Sequence, residues 1–158
     1  MFVRLFALML SLMLWLGMPS QAQNIKQWRT NKASEVRMWF LANAKQVHML
    51  GSEPLFPEFM DDVVSMTLQK RSVVKIITGS SAIDRFKRLA LAGAGVRYRV
   101  GAFQSQNGFS GAVVILENRY VLSKRGSEWQ MFDSIEGAGQ VLRQFNLLWD
   151  YCSPIPTT

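Results

Sequence analysis

Residues 71–100 run RSVVKIITGSSAIDRFKRLALAGAGVRYRV and read as strand, helix, strand. Val73, Val74, Ile76 and Ile77 make a short apolar run rich in β-branched residues, the pattern of a strand buried on both faces. Ser81 is placed to cap the helix that follows, and Asp84, three residues on, complements its positive end. Ile83, Phe86, Leu89 and Ala90 share one helical face, and Arg85, Lys87 and Arg88 the other. Gly93 and Gly95 supply the stop, because glycine enters the left-handed turn after a helix at little cost. Val96, Tyr98 and Val100 then alternate with Arg97 and Arg99, a strand period. A crossover of this length returns the second strand parallel to the first in one sheet, which makes the chain an α/β protein.

Downstream, GAFQSQNGFSG is a polar, glycine-rich connection. AVVILENRYVLS, residues 112–123, reads as two strands about a turn at Glu117 and Asn118. KRGSEWQMFD reads as a loop exposing Trp129. Asp133 is placed to cap a last helix, with Glu136 in the reciprocal position, and Val141, Leu142, Phe145, Leu148 and Trp149 form its apolar stripe. The run SPIP, residues 153–156, ends the structure.

Upstream, PEFMDDVVSMTLQ, residues 57–69, is a helix with proline in its first turn and Glu58, Asp61 and Asp62 near its positive end. Phe59, Val63 and Met66 form its stripe, widened by Met60 and Val64. Asp61 and Asp62 are neighbours and do not face one point, so they read as a solvated turn rather than an acid–base pair. Residues 53–57 read as a loop, residues 34–44 as a short helix using Val36, Phe40 and Leu41, and residues 46–50 as the first strand. There is no internal repeat and no second domain.

The chain opens MFVRLFALMLSLMLWLGMPSQAQ: Arg4, an apolar run to Met18, Pro19, then Ser20-Gln21-Ala22 as a small-x-small cleavage site. That is the pattern of a secretory signal peptide over residues 1–22, and it implies an exported, periplasm-like location. The net charge of +7 loses only Arg4 with that segment, so the remainder stays basic and an anionic partner is expected. The single cysteine, Cys152, excludes an internal disulfide and reads as a buried or idle thiol ahead of an intermolecular link. The single histidine, His48, together with one cysteine excludes a zinc-type cluster. His48 reads as a strand residue whose ring is hydrogen-bonded locally. The glycines of AGAGV follow their helix rather than open it, so they cannot seat a phosphate on its N-terminus. No cofactor is implied.

The order of these elements resembles the phospholipase D superfamily, and most of all its small exported endonuclease-like members with one motif per chain. Gly95 to Val100 is similar to the family's GVxVRV strand, and Val113 to Leu122 to its catalytic strand. Gly126-Ser127-Glu128-Trp129 is similar to the Gly-Ser step, and Phe145 and Trp149 match a common closing pattern. The resemblance implies a single phospholipase D-like domain over residues 53–152, a mixed sheet flanked by helices, between an extension at 23–52 and a tail at 153–158.

The family's signature is HxKxxxxD followed by Gly-Ser, in which histidine is the nucleophile, lysine holds the phosphate and aspartate supports the histidine. The resemblance puts Ser110 at the histidine, Ala112 at the lysine, Glu117 at the aspartate and Ser127 at the serine. A serine without an adjacent base is a poor nucleophile, and alanine cannot hold a phosphoryl charge. The expectation is a site without the family reaction. Arg97, Arg99, Lys124 and Arg125 are the phosphate-binding candidates, and Trp129 is a candidate for stacking on a base. The partners implied are DNA or an anionic phospholipid, with pairing into a homodimer or onto an intact relative. Conjugation or secretion machinery is the setting of the relatives it resembles. Two other readings stay open: a phosphodiesterase with a site rebuilt on Ser110 or His48, and a structural protein with no anionic ligand.

Overall fold

The computed structural model describes residues 26–51, 56–99 and 112–157. Residues 1–25, with the segment read as a signal peptide, the connection 100–111 with Ser110, residues 52–55 and Thr158 lie outside the described residues.

The elements are β1 (Lys26–Thr30), α1 (Ala33–Asn43), β2 (Gln46–Gly51), α2 (Met60–Leu68), β3 (Val73–Gly79), α3 (Ile83–Leu91), β4 (Gly95–Arg99), β5 (Ala112–Leu116), β6 (Tyr120–Arg125), β7 (Glu128–Asp133), α4 (Ile135–Trp149) and β8 (Ser153–Pro154). They form one mixed eight-stranded sheet in the order β1-β7-β6-β5-β2-β3-β4-β8. β2, β3 and β4 are mutually parallel, and β5 runs antiparallel to β2. The strand–helix–strand reading holds over the described residues 71–99, with Ile76 paired to Val96 and Thr78 to Tyr98.

Strand alternation divides the core in two. Val47, Met49, Val74, Ile76, Val96, Val114, Leu116, Leu122 and Trp129 face α1, α2 and α3, and pack with Phe40, Phe59, Val63, Phe86 and Leu89. Leu50 and Ile77 face the other way, onto Phe145 of α4 and Cys152, with Leu148 and Trp149 alongside. Three helices therefore cover one face and α4 crosses the other.

Several local readings shift. Residues 80–82 form a 3-10 turn that tucks Ala82 into the core at 1 % exposure, so α3 begins at Ile83. Ser81 stays exposed and does not cap the helix. Asp133 remains in β7, where Arg119 grips its carboxylate from Nε at 2.6 Å and Nη2 at 2.8 Å. Ser134 caps α4 instead, its Oγ accepting from the Gly137 amide at 3.0 Å. KRGSEWQMFD is not a loop. β6 and β7 pair from Tyr120 with Asp133 to Arg125 with Glu128, and Gly126 takes the turn at φ +60°. The turn at Glu117 and Asn118 is as read, with φ of 53° and 55° at its two central residues.

β1, α1 and β2 all come from the segment set apart as an extension, and β2 lies inside the sheet between β5 and β3. Residues 153–157, read as a tail, close the far edge: β8 pairs with β4, and Ile155 is 6 % exposed and donates its amide to the Val96 carbonyl.

Candidate functional site

β2 and β3 finish where β5 starts, since Gly51 pairs with Ala112 and Leu50 with Ile77. β4 finishes beside them, with Arg99 paired to Gly79. The β6–β7 turn reaches the same end, because Val113 pairs with Ser123 and Lys124 with Trp129. The backbone of Ala112, Arg99, Lys124 and the exposed Ser127 thus mark one end of the sheet. Ser110 and the side chain of Arg125 lie outside the described residues.

Glu117 is not at that end. It sits five residues on from Ala112, one past the end of β5, about 17 Å away at the usual strand rise. Its Oε1 accepts from the Gln46 amide at 2.6 Å, so the carboxylate closes the start of β2. It is a turn residue and supports no side chain at the other end.

The phosphate candidates divide between the two faces. Lys124 lies on the three-helix face, with Nζ 3.2 Å from a Glu58 carboxylate oxygen and 4.7 Å from the Trp129 ring centroid. Trp129 is 1 % exposed and packs on Phe59 with ring centroids 6.2 Å apart. The stacking role is therefore wrong: once residues 128–133 form a strand, alternation turns the indole into the core.

Arg97 and Arg99 lie on the α4 face. The Arg97 guanidinium carbon is 4.5 Å from the Trp149 ring centroid, and its Nη1 donates to the Trp149 carbonyl at 2.6 Å. Lys75 of β3, which the sequence reading passed over, joins them: it pairs with Gly95, and its Nζ is 5.5 Å from the same ring. Alternation along VVKIITG puts Lys75 on the face of Ile77, but the register that brings it to Arg97 is not written in either strand alone. Ion pairs among the described residues join Lys32 to Glu35, Arg37 to Asp62, Lys87 to Asp84, Arg88 to Asp61, Arg119 to Asp133 and Lys124 to Glu58. None of these carboxylates reaches Lys75, Arg97 or Arg99. Burial pushes the Cys152 thiol up, partly offset by Arg99 and Arg97.

His48 lies in the middle of β2 on the same face, paired to Lys75 and Ile115. Its ring meets Phe145 edge-on at 5.1 Å. Nδ1 is buried with no hydrogen-bond partner, unlike the locally bonded ring expected. Burial first, and the Lys75 charge second, hold its pKa below the ordinary 6.5. No group of three or more potential metal ligands occurs among the described residues.

This arrangement, a mixed sheet with parallel β2–β4, an antiparallel β5 entering at their ends, three helices on one face and one across the other, is a phospholipase D-like fold. Nuc from Salmonella typhimurium, a phospholipase D family member, superposes with a TM-score of 0.62 at 15% identity, over 84% of this chain and 97% of that one. Phosphatidylserine synthase from Haemophilus influenzae Rd KW20 gives 0.57 at 14% identity, over 83% of this chain and 40% of that one. TrmBL2, an archaeal chromatin protein described as showing a novel mode of DNA binding, gives 0.57 at 15% identity, over 96% of this chain and 62% of that one. No family model and no curated protein matches the sequence.

Proposed function

We propose that this chain is a non-catalytic phospholipase D-like protein that binds phosphodiester-bearing polyanions, DNA foremost, after export. The observation that carries the reading is the set of Lys75, Arg97 and Arg99 on the α4 face, with no carboxylate partner among the described residues. Cations left without acids suit a phosphate backbone, which they hold through salt-sensitive, sequence-independent contacts. Ala112 at the lysine position brings no charge to a phosphoryl group, and Ser110 has no base beside it in the motif, which speaks against turnover. His48 is a weak substitute nucleophile, packed edge-on to Phe145 in mid-strand. The N-terminal pattern supports export, and the family resemblance supports a place in conjugation or secretion machinery.

The test mixes the chain from Gln23 onward with labelled single- and double-stranded DNA in EDTA, at low and high salt, on native and denaturing gels. A salt-sensitive shift without cleavage is expected. Cleavage overturns the non-catalytic reading, and the absence of both overturns DNA as the ligand.

A further inference from the structure

α1, α2 and α3 all finish at the end of the sheet where β2, β3 and β4 begin, opposite the end that carries Ala112 and Ser127. Three large apolar side chains stand open there: Leu68 at 62 % exposure, Val73 at 61 % and Leu91 at 68 %. Leu68 closes α2, Leu91 closes α3, and α2 packs against α3. Val73 donates its amide to the Lys45 carbonyl at 2.7 Å, which brings the join before β2 beside the start of β3. Ser72 fastens the same join by bonding to the Ala44 carbonyl.

Lys45, Lys70 and Arg71 stand at the same end, all exposed, and no ion pair among the described residues engages them. Two acids at this end are already committed, and a third, the exposed Glu136, opens α4 on the opposite face of the sheet. Glu117 accepts from the Gln46 amide, and Asp133 is held by Arg119. Asp150 lies across the sheet, after α4. Three exposed apolar residues among three free cations are therefore left to meet solvent.

We infer that this end docks on an anionic phospholipid bilayer, with Leu68, Leu91 and Val73 entering the interface and Lys45, Lys70 and Arg71 meeting the headgroups. Charge complementarity selects the occupant, since cations near an anionic surface are attracted and an uncharged surface offers them nothing. The spacing agrees. Each leucine ends its own helix at the end that carries the cations, rather than lying in the continuous strip that a partner helix reads. Long basic side chains keep their charge at headgroup level while the apolar residues descend. Docked this way, the Ala112–Ser127 end points away from the bilayer, and Arg99, at that end of β4, stays clear of it.

The experiment is co-sedimentation of the chain from Gln23 onward, which keeps all eight strands and both core clusters, with phosphatidylcholine vesicles with and without phosphatidylglycerol. Binding only to the phosphatidylglycerol vesicles is expected. Leu68→Ser with Leu91→Ser should weaken it by about tenfold or more, from the apolar area withdrawn. Lys70→Glu with Arg71→Glu should weaken it by about tenfold or more as well. Arg99→Ala should leave it unchanged, which separates this surface from the polyanion site. In the unsubstituted chain, vesicles should slow amide exchange around residues 68–73 and 91–94. Equal binding to both vesicle types, unchanged binding by either double variant, competition by soluble glycerol phosphate, or protection elsewhere overturns the inference.

Discussion

Arg97 ties the end of α4 to β4: its guanidinium lies over the Trp149 ring and donates to the Trp149 carbonyl at 2.6 Å. The last carbonyls of a helix have no partner within it, and a cation suits that negative end. One side chain thus fastens α4 across the sheet and contributes charge to the α4 face. Arg97→Ala should cost about 1.5–3 kcal/mol, the range for a hydrogen bond from a charged group. Urea unfolding checks this, with the midpoint lowered and the slope unchanged.

Gly95 lies beneath the same ring. A Cβ there would stand 3.1 Å from Trp149 Cη2 and 3.4 Å from Cζ2. Alanine asks the indole to give slightly, whereas valine adds two methyl groups against it. Gly95→Val should therefore destabilise by about 1–3 kcal/mol through overpacking, with Gly95→Ala costing less. Equal stability of the two variants would show that Trp149 shifts freely.

Most of the fold was legible because its signals are local. The β-branched run from Val73, the stripe Phe59–Val63–Met66 and the turn at Glu117 and Asn118 each carry their period or turn chemistry in adjacent residues. What failed depended on distant residues. β1 is a short, polar strand, exposed or half-buried throughout, and it is a strand because β7 pairs with it. Trp129 looked exposed because its neighbours are polar, and the β6–β7 register is what buries it. At the site, Arg97 and Arg99 were visible as alternation, but Lys75 joins them only through the β3–β4 register. The same register logic sends Lys124 to the opposite face.

Trp129 decides between core packing and ligand stacking. As a core residue it loses its contacts with Phe59 on truncation. Trp129→Ala should cost about 3–5 kcal/mol, as large aromatic truncations do. Trp129→Phe should keep most of the stability and leave DNA affinity unchanged. A Trp129→Ala variant of normal stability with weakened DNA binding would restore the stacking role.

Arg99 is the cleaner probe of the polyanion site, because Arg97 also holds α4. A single phosphate contact removed should lower the slope of log affinity against log salt by about one. Arg99→Ala should do this for single- and double-stranded DNA alike, without sequence preference and without shifting the urea midpoint. An unchanged slope would remove Arg99 from the interface.

His48 gives the fold a pH response of known sign. Burial, and then the Lys75 charge, hold its folded-state pKa below the ordinary 6.5. As pH falls below 6.5, the unfolded chain takes up the proton first, so the unfolded state binds more protons and stability falls. The stability is fully present above 6.5, and its loss is complete below the depressed folded value. Phe145 and Ile115 offer the imidazolium no compensating charge. His48→Gln should flatten the stability curve from pH 6.5 downward. It should leave a separate acid limb, where Glu35 and Asp133 are held below their ordinary 4.5 and 3.8 by bonds to Thr30 and Arg119. Those carboxylates stabilise above their ordinary values and lose that contribution as pH falls through their folded ones. Urea midpoints across pH for the two proteins check it, and parallel curves between pH 6.5 and 4.5 would mean that His48 is as well solvated folded as unfolded.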